Sequence, residues 1–230
     1  MRTPVFTGSC PALATPFDQN GNINYDAFGK LIDAQIAAGV DAVCVCGTTG
    51  ESATMSIREH IAAVEFCVKR VDHRVKVIAG TGSNDTSAAV YLSQHAQDSG
   101  ADACLLVTPY YNKASQTGLI KHYEYIADRV ELPIILYNVP SRTGLNILPQ
   151  TAVRLAEDVE NIYLRKGDRI VQLKDFCKVS VVPVKEKGVS LSNGKRAVSL
   201  AVIKQADENM DKMKQALVGT MTYFQLVYPE

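Results

Sequence analysis

The sequence predicts an α/β protein built as a (β/α)8 TIM barrel, and three observations carry that expectation. Short β-branched runs alternate with longer amphipathic segments, as strands and helices alternate around a parallel sheet. Each run recurs about thirty residues after the last, which leaves room for one strand, one helix and two short loops. Polar, glycine-containing segments follow several of the runs at their C-terminal ends, where barrel enzymes keep their chemistry. An open doubly wound sheet would instead concentrate its signature at one switch point, and the sequence has no Gly-x-Gly-x-x-Gly or Walker segment.

The expected strands are Gly8–Pro16, Ala42–Cys46, Val75–Ala79, Ala103–Val107 and Pro133–Tyr137, with a weaker one at Ile162–Arg165. Helical periodicity places helices between them at Tyr25–Ala38, Ser56–Val71, Thr86–Ser99, Gln116–Arg129 and Pro149–Ala156. Beyond Gly167 the pattern changes. Val179–Val184 and Val189–Leu191 read as strands, Val198–Leu217 as a helix, and Lys185–Gly188 and Ser192–Lys195 as turns. Eight units usually need about 250 residues. The 230 residues of this chain are therefore expected to form one barrel domain whose portion from 163 to 230 is divergent and shortened, either compressed or incomplete. Deleted segments there would leave a sheet edge and apolar surface to be covered by another chain.

Composition narrows the function classes. Hydrophobic residues make up 47% and charged residues 21%, enough to bury a sizeable core. Lys and Arg number 24 and so do Asp and Glu, so no net field draws the chain toward nucleic acid or an anionic membrane. A small-molecule substrate is the expected partner. The start, Met1 to Gly8, has no sustained apolar run and no cleavage signature, and no later run is long enough to span a bilayer, which points to the cytoplasm. Six Cys occur without a Cys-x-x-Cys spacing. Cys44 and Cys46, two apart in an apolar run, are expected on one face of a strand, as buried reduced thiols and not as metal ligands or disulfides.

Three segments at strand ends could carry chemistry. Gly47-Thr48-Thr49-Gly50-Glu51-Ser52 combines two glycines for a sharp turn with hydroxyls and free amides that suit a carboxylate, although such segments commonly serve as helix caps alone. Thr108-Pro109-Tyr110-Tyr111-Asn112 follows the fourth strand, and Tyr137-Asn138-Val139-Pro140-Ser141-Arg142-Thr143-Gly144 follows the fifth. A tyrosine at a strand C-terminus holds its hydroxyl over a barrel mouth, where it can relay a proton, and Arg142 offers a planar fork for a carboxylate. Taken singly, the tyrosines read as amphipathic packing residues and Arg142 as a surface charge. All three segments, however, fall at the same end of their strands.

Together with Ala12-Leu13-Ala14-Thr15-Pro16-Phe17 these segments resemble the signatures of the dihydrodipicolinate synthase family, nearly continuously from Gly8 to Ile162. The resemblance implies a class I aldolase that needs no metal or organic cofactor. A barrel lysine would form a Schiff base with pyruvate, and the enamine would attack L-aspartate 4-semialdehyde on the route to lysine. It further implies that Thr48, Tyr111 and Tyr137 form a proton relay, with Tyr111 reaching into a neighbouring subunit of a homotetramer arranged as a dimer of dimers. Gly47 and Thr49 would hold the pyruvate carboxylate, and Arg142 the carboxylate of the aldehyde. The family's lysine lies within Gly-Ile-Lys-Glu-Ala after the sixth strand, a few residues beyond an Asn-Ile pair. In Asn161-Ile162-Tyr163-Leu164-Arg165-Lys166-Gly167-Asp168, Lys166 falls in that register while its neighbours differ. Such a lysine must be partly neutral, which desolvation or an adjacent cation such as Arg165 would favour.

The same resemblance places Ala53, His60, Asn84 and Tyr110 in the pocket where sensitive members bind lysine as a feedback inhibitor. Ile57 and Ala88 stand where a His and a Glu lie in those members, and without that carboxylate an ammonium group lacks its charge-assisted partner. Two alternatives stand beside the synthase reading: another pyruvate lyase of the superfamily, such as one cleaving N-acetylneuraminate, and an inactive barrel remnant that binds without turnover.

Overall fold

The four longest helices among the described residues begin where a side chain takes up free backbone donors of the first turn. In the computed structural model, which describes residues 5–162 and the strands 178–181, 199–202 and 222–226, Asn24 caps α1 (Tyr25–Ala37) by accepting from Ala27 N. Ser56 and Glu59 form a reciprocal capping box at the start of α2 (Ile57–Val71). Asp85 caps α3 (Thr86–Ser99), which Gly100 ends at a φ of +90°, and Ser115 caps α4 (Gln116–Ala127). A single turn, α5 (Pro140–Thr143), and α6 (Pro149–Asp158) follow, each with proline in its first turn.

Between these helices the strands β2 (Ala42–Val45), β3 (Lys76–Gly80), β4 (Ala103–Val107) and β5 (Ile134–Tyr137) pair in parallel and in chain order. β1 (Gly8–Pro11) lies beside β2: Ala12 bridges Cys44, and Asp41 N donates to Ser9 O at 3.0 Å. On the opposite edge Ile162 bridges Ile134 in parallel, opening a sixth position. Strand order that never reverses is the wall of a (β/α)8 barrel, since a doubly wound sheet turns back at its switch point. The helices follow the same order outside, α1 against α2, α2 against α3, α3 against α4 and α4 against α6.

Period-two alternation sorts the core into two layers. Val43, Val45, Val77, Ala79 and Leu106 face the helices, where they meet Phe28, Ile32, Tyr123 and Leu155, all fully buried. Each such side chain contributes roughly 1.5–3 kcal/mol on leaving water. Cys10, Ala42, Cys44, Ile78, Ala103 and Leu105 form a second cluster on the inner face. Between β3 and its neighbours the backbones almost touch: a Cβ on Gly80 would stand 2.3 Å from Cys46 O, and one on Gly82 would stand 2.4 Å from Val107 N. Glycine is required there to let the strand ends converge.

Three expectations need correction. Cys44 and Cys46 do not share a face, because Cys46 lies past the end of β2 at a φ of +53°, and the turn sends its thiol to the outer layer while Cys44 points inward. Both are buried and outside any disulfide among the described residues, as are Cys10, Cys67 and Cys104. The expected helix Val198–Leu217 begins instead with a strand, β7 (Ser199–Val202), since a short apolar run satisfies either period. The third concerns direction. β8 (Thr222–Leu226) pairs with β1 antiparallel, Gly8 opposite Leu226, where a regular barrel would continue in parallel. β7 pairs with β8 in parallel, and β6 (Lys178–Val181), which overlaps the expected strand Val179–Val184, pairs with β7 antiparallel. Val189–Leu191 lies outside the described residues.

Candidate active site

The three chemistry-bearing segments leave the C-terminal ends of β2, β4 and β5 and so lie along one rim of the sheet. The first is a short 3₁₀ turn over Thr48–Gly50, closed by Gly50 N donating to Gly47 O at 3.0 Å. The first loop of the chain holds it from below: Thr15 Oγ1 donates to Gly50 O at 2.8 Å, and Leu13 N donates to Cys44 O. The Ala12–Phe17 motif therefore supports the Thr48–Thr49 turn. Thr48 is exposed and Thr49 half-buried, so both hydroxyls reach the open side of the rim.

Tyr137 is the last residue of β5 and lies opposite Val107 of β4. Its ring packs against the inner cluster with Cys44, Ile78 and Leu105, so the side chain enters the barrel interior, as a relay residue requires. Tyr110 is half-buried on the adjacent loop. Tyr111 behaves differently: at a φ of +71° it is 88% exposed among the described residues. Left-handed backbone is unfavourable for a bulky residue, so the loop holds this ring outward against its intrinsic preference.

Arg142 stands exposed in α5, with no carboxylate in ion-pair range among the described residues. The buried Thr143 beside it anchors the turn, its hydroxyl 2.9 Å from Leu145 O and 3.2 Å from Val139 O. Burial pushes the Cys44 thiol up to about 12, so this inward-facing thiol stays neutral at ordinary pH. Lys166 and Arg165 lie outside the described residues.

The positions expected to form an effector pocket lie on a second 3₁₀ turn, on α2 and on the loops after β3 and β4. Ala53 is exposed on the second 3₁₀ turn. Asn84 joins the loop after β3 to the loop after β4, where Asn112 Nδ2 donates to its carbonyl at 3.0 Å and its own amide faces Asn112 Oδ1 at 3.4 Å. His60 is buried, its Nε2 2.8 Å from Gly80 O, and burial lowers its pKa. Gln116, which pattern reading passed over as an ordinary first-turn residue of α4, reaches the Arg142 loop through both ends of its amide.

The profile of the dihydrodipicolinate synthetase family matches residues 5–178. The chain belongs to this family. The 4-hydroxy-tetrahydrodipicolinate synthase of Acetivibrio thermocellus is 52% identical over 179 residues, covering 78% of this chain and 61% of that protein. Among solved dihydrodipicolinate synthases, that of Aquifex aeolicus superposes with a TM-score of 0.67 at 48% identity, covering 70% of this chain and 56% of its own. The chloride-inhibited synthase of Acinetobacter baumannii, complexed with pyruvate, gives 0.66 at 47%, covering 68% and 53%. The chain thus spans less than two-thirds of the length of these dihydrodipicolinate synthases.

Proposed function

We propose that the protein is a 4-hydroxy-tetrahydrodipicolinate synthase, a lyase-class enzyme of lysine biosynthesis that condenses pyruvate with L-aspartate 4-semialdehyde. The observation that carries the reading is the convergence of Thr48–Thr49, Tyr137 and Arg142 on one rim, with Tyr137 turned into the barrel. Pyruvate binds with its carboxylate at the Gly47–Thr49 turn, and its keto carbon meets the amine of Lys166. Imine formation expels water and requires protons to enter and leave repeatedly, which Thr48 and Tyr137 relay. Tyr111 supplies the third hydroxyl from a neighbouring subunit, which accounts for its outward pose. The enamine carbon then attacks the aldehyde, whose carboxylate Arg142 holds as a planar, permanently charged fork.

The reading extends to a single cytoplasmic barrel domain over residues 1–230 that needs no cofactor and assembles as a homotetramer. No helix among the described residues is long and apolar enough to cross a membrane. Incubation with pyruvate and borohydride, followed by peptide mass spectrometry, is expected to place one pyruvyl adduct on Lys166. A folded protein that forms no adduct would refute the catalytic reading and favour a barrel remnant that binds without turnover.

Millimolar lysine is expected to inhibit the condensation weakly or not at all. Ile57 is 49% exposed, Ala88 carries no charge, and the His60 ring is turned inward, so the pocket lacks the carboxylate that would grip an ammonium group. Inhibition assays with and without lysine check this, and strong inhibition would refute it.

A further inference from the structure

We propose that Gln116 is a positioning residue that pre-organises the Arg142 loop for a carboxylate-bearing substrate; the inference rests on the synthase reading for what that loop binds. Gln116 belongs to the first turn of α4, yet its side chain serves the loop that follows β5. Nε2 donates to Asn146 O at 2.8 Å, while Oε1 accepts from Leu148 N at 3.1 Å and from Thr151 Oγ1 at 2.6 Å. Thr151 is buried in α6, so one amide ties the base of the Arg142 loop to two helices. Asn138 completes the tie from the end of β5: its Nδ2 donates to Asn146 Oδ1 at 2.7 Å, and its Oδ1 accepts from Ile147 N at 3.0 Å.

Above this base the loop is closed on itself. Arg142 N donates to Val139 O and Gly144 N to Pro140 O, each at 2.9 Å. Arg142 thus stands on a loop whose root is fixed by side chains from elsewhere, while its guanidinium has no ion-pair partner among the described residues. A fixed loop loses less freedom when an anion binds, which is the gain that pre-organisation supplies. A structural bond in the same place would stabilise the protein without altering substrate affinity selectively, and this difference is measurable.

Gln116→Met keeps the length of the side chain and removes all three bonds. Hydrogen exchange of the Arg142, Gly144, Ile147 and Leu148 amides is expected to accelerate about tenfold, as loss of bonds each worth a severalfold factor implies, while Thr81 N and Cys104 N in the sheet stay at wild-type rates. The KM for the aldehyde should rise about tenfold with kcat within about twofold. In Gln116→Glu one carboxylate oxygen still accepts from Leu148 N and Thr151, but the other meets Asn146 O as an acceptor. This variant should behave like the Met variant at pH 8. It should return toward wild-type exchange near pH 4, where the protonated carboxyl again donates. If the Met variant fails to fold, the pH-dependent recovery of the Glu variant decides the matter.

Unchanged exchange in the loop, equal acceleration across the whole chain, or a fall in kcat with KM constant would overturn the assignment. Failure of the wild-type protein to trap pyruvate would refute the synthase reading alone, since the exchange ratios test whether Gln116 holds the loop without any turnover.

Discussion

Replacement of Tyr137 by Phe is expected to slow formation of the borohydride-trapped pyruvate adduct about 10²- to 10⁴-fold, the usual contribution of a positioned proton donor or acceptor. The substitution removes one oxygen and leaves the ring, which packs with Cys44, Ile78 and Leu105 on the inner face. A thermal midpoint measured alongside the trapping rate separates lost chemistry from lost fold. Pyruvate binding should persist, because the proposed carboxylate site is the Gly47–Thr49 turn after β2 and not β5. The rate for Thr48→Val should fall as well. The double variant should lose less than the product of the two single losses, since residues that pass one proton act as a unit. A Phe variant within tenfold of wild type would remove Tyr137 from the relay.

Local signals made most of the described fold legible in the sequence. Ala103–Val107 and Thr86–Ser99 keep the limits that pattern reading gives them, because a short apolar run and an Asp-capped, Gly-terminated amphipathic segment each carry their own boundaries. The three rim segments were legible for a related reason, since glycine, hydroxyl and aromatic residues directly after a strand mark a barrel mouth. What pattern reading missed was long-range. Gln116 meets Asn146, Leu148 and Thr151 some thirty or more positions away, and nothing in the first turn of α4 distinguishes an amide that caps a distant loop from one in solvent. The turn at Cys46 depends on Gly80 pressing against its carbonyl, a contact between two strand ends that spacing along one strand does not encode. The antiparallel pairing of β8 with β1 joins the two ends of the chain and leaves no periodic trace in either.

Acidification should weaken the fold through His122, whose ring lies buried between α3 and α4. Its Nδ1 is 2.8 Å from Thr86 Oγ1 and its face meets Tyr123 edge-on, while Nε2 has no partner among the described residues. Protonation would place a charge and an unanswered donor at Nε2, so burial pulls the pKa from 6.5 to about 4. Between these two values the unfolded chain binds a proton that the folded chain does not, so stability rises with pH across that window. It is complete above about pH 6.5, declines as pH falls and levels off below about 4. The full difference is about 3 kcal/mol, at 1.36 kcal/mol per pH unit. Burial shifts His60 in the same direction, which deepens the decline. His122→Asn places an amide where Nδ1 sits and so keeps the bond to Thr86 without a titrating ring. Urea midpoints for both proteins at pH 7.5 and pH 4 should show the wild type losing about 3 kcal/mol more than the Asn variant, whose remaining decline reports the other groups. Equal losses in the two proteins would show that His122 takes up its proton at the same pH folded and unfolded, with the charge at Nε2 solvated or answered by a partner.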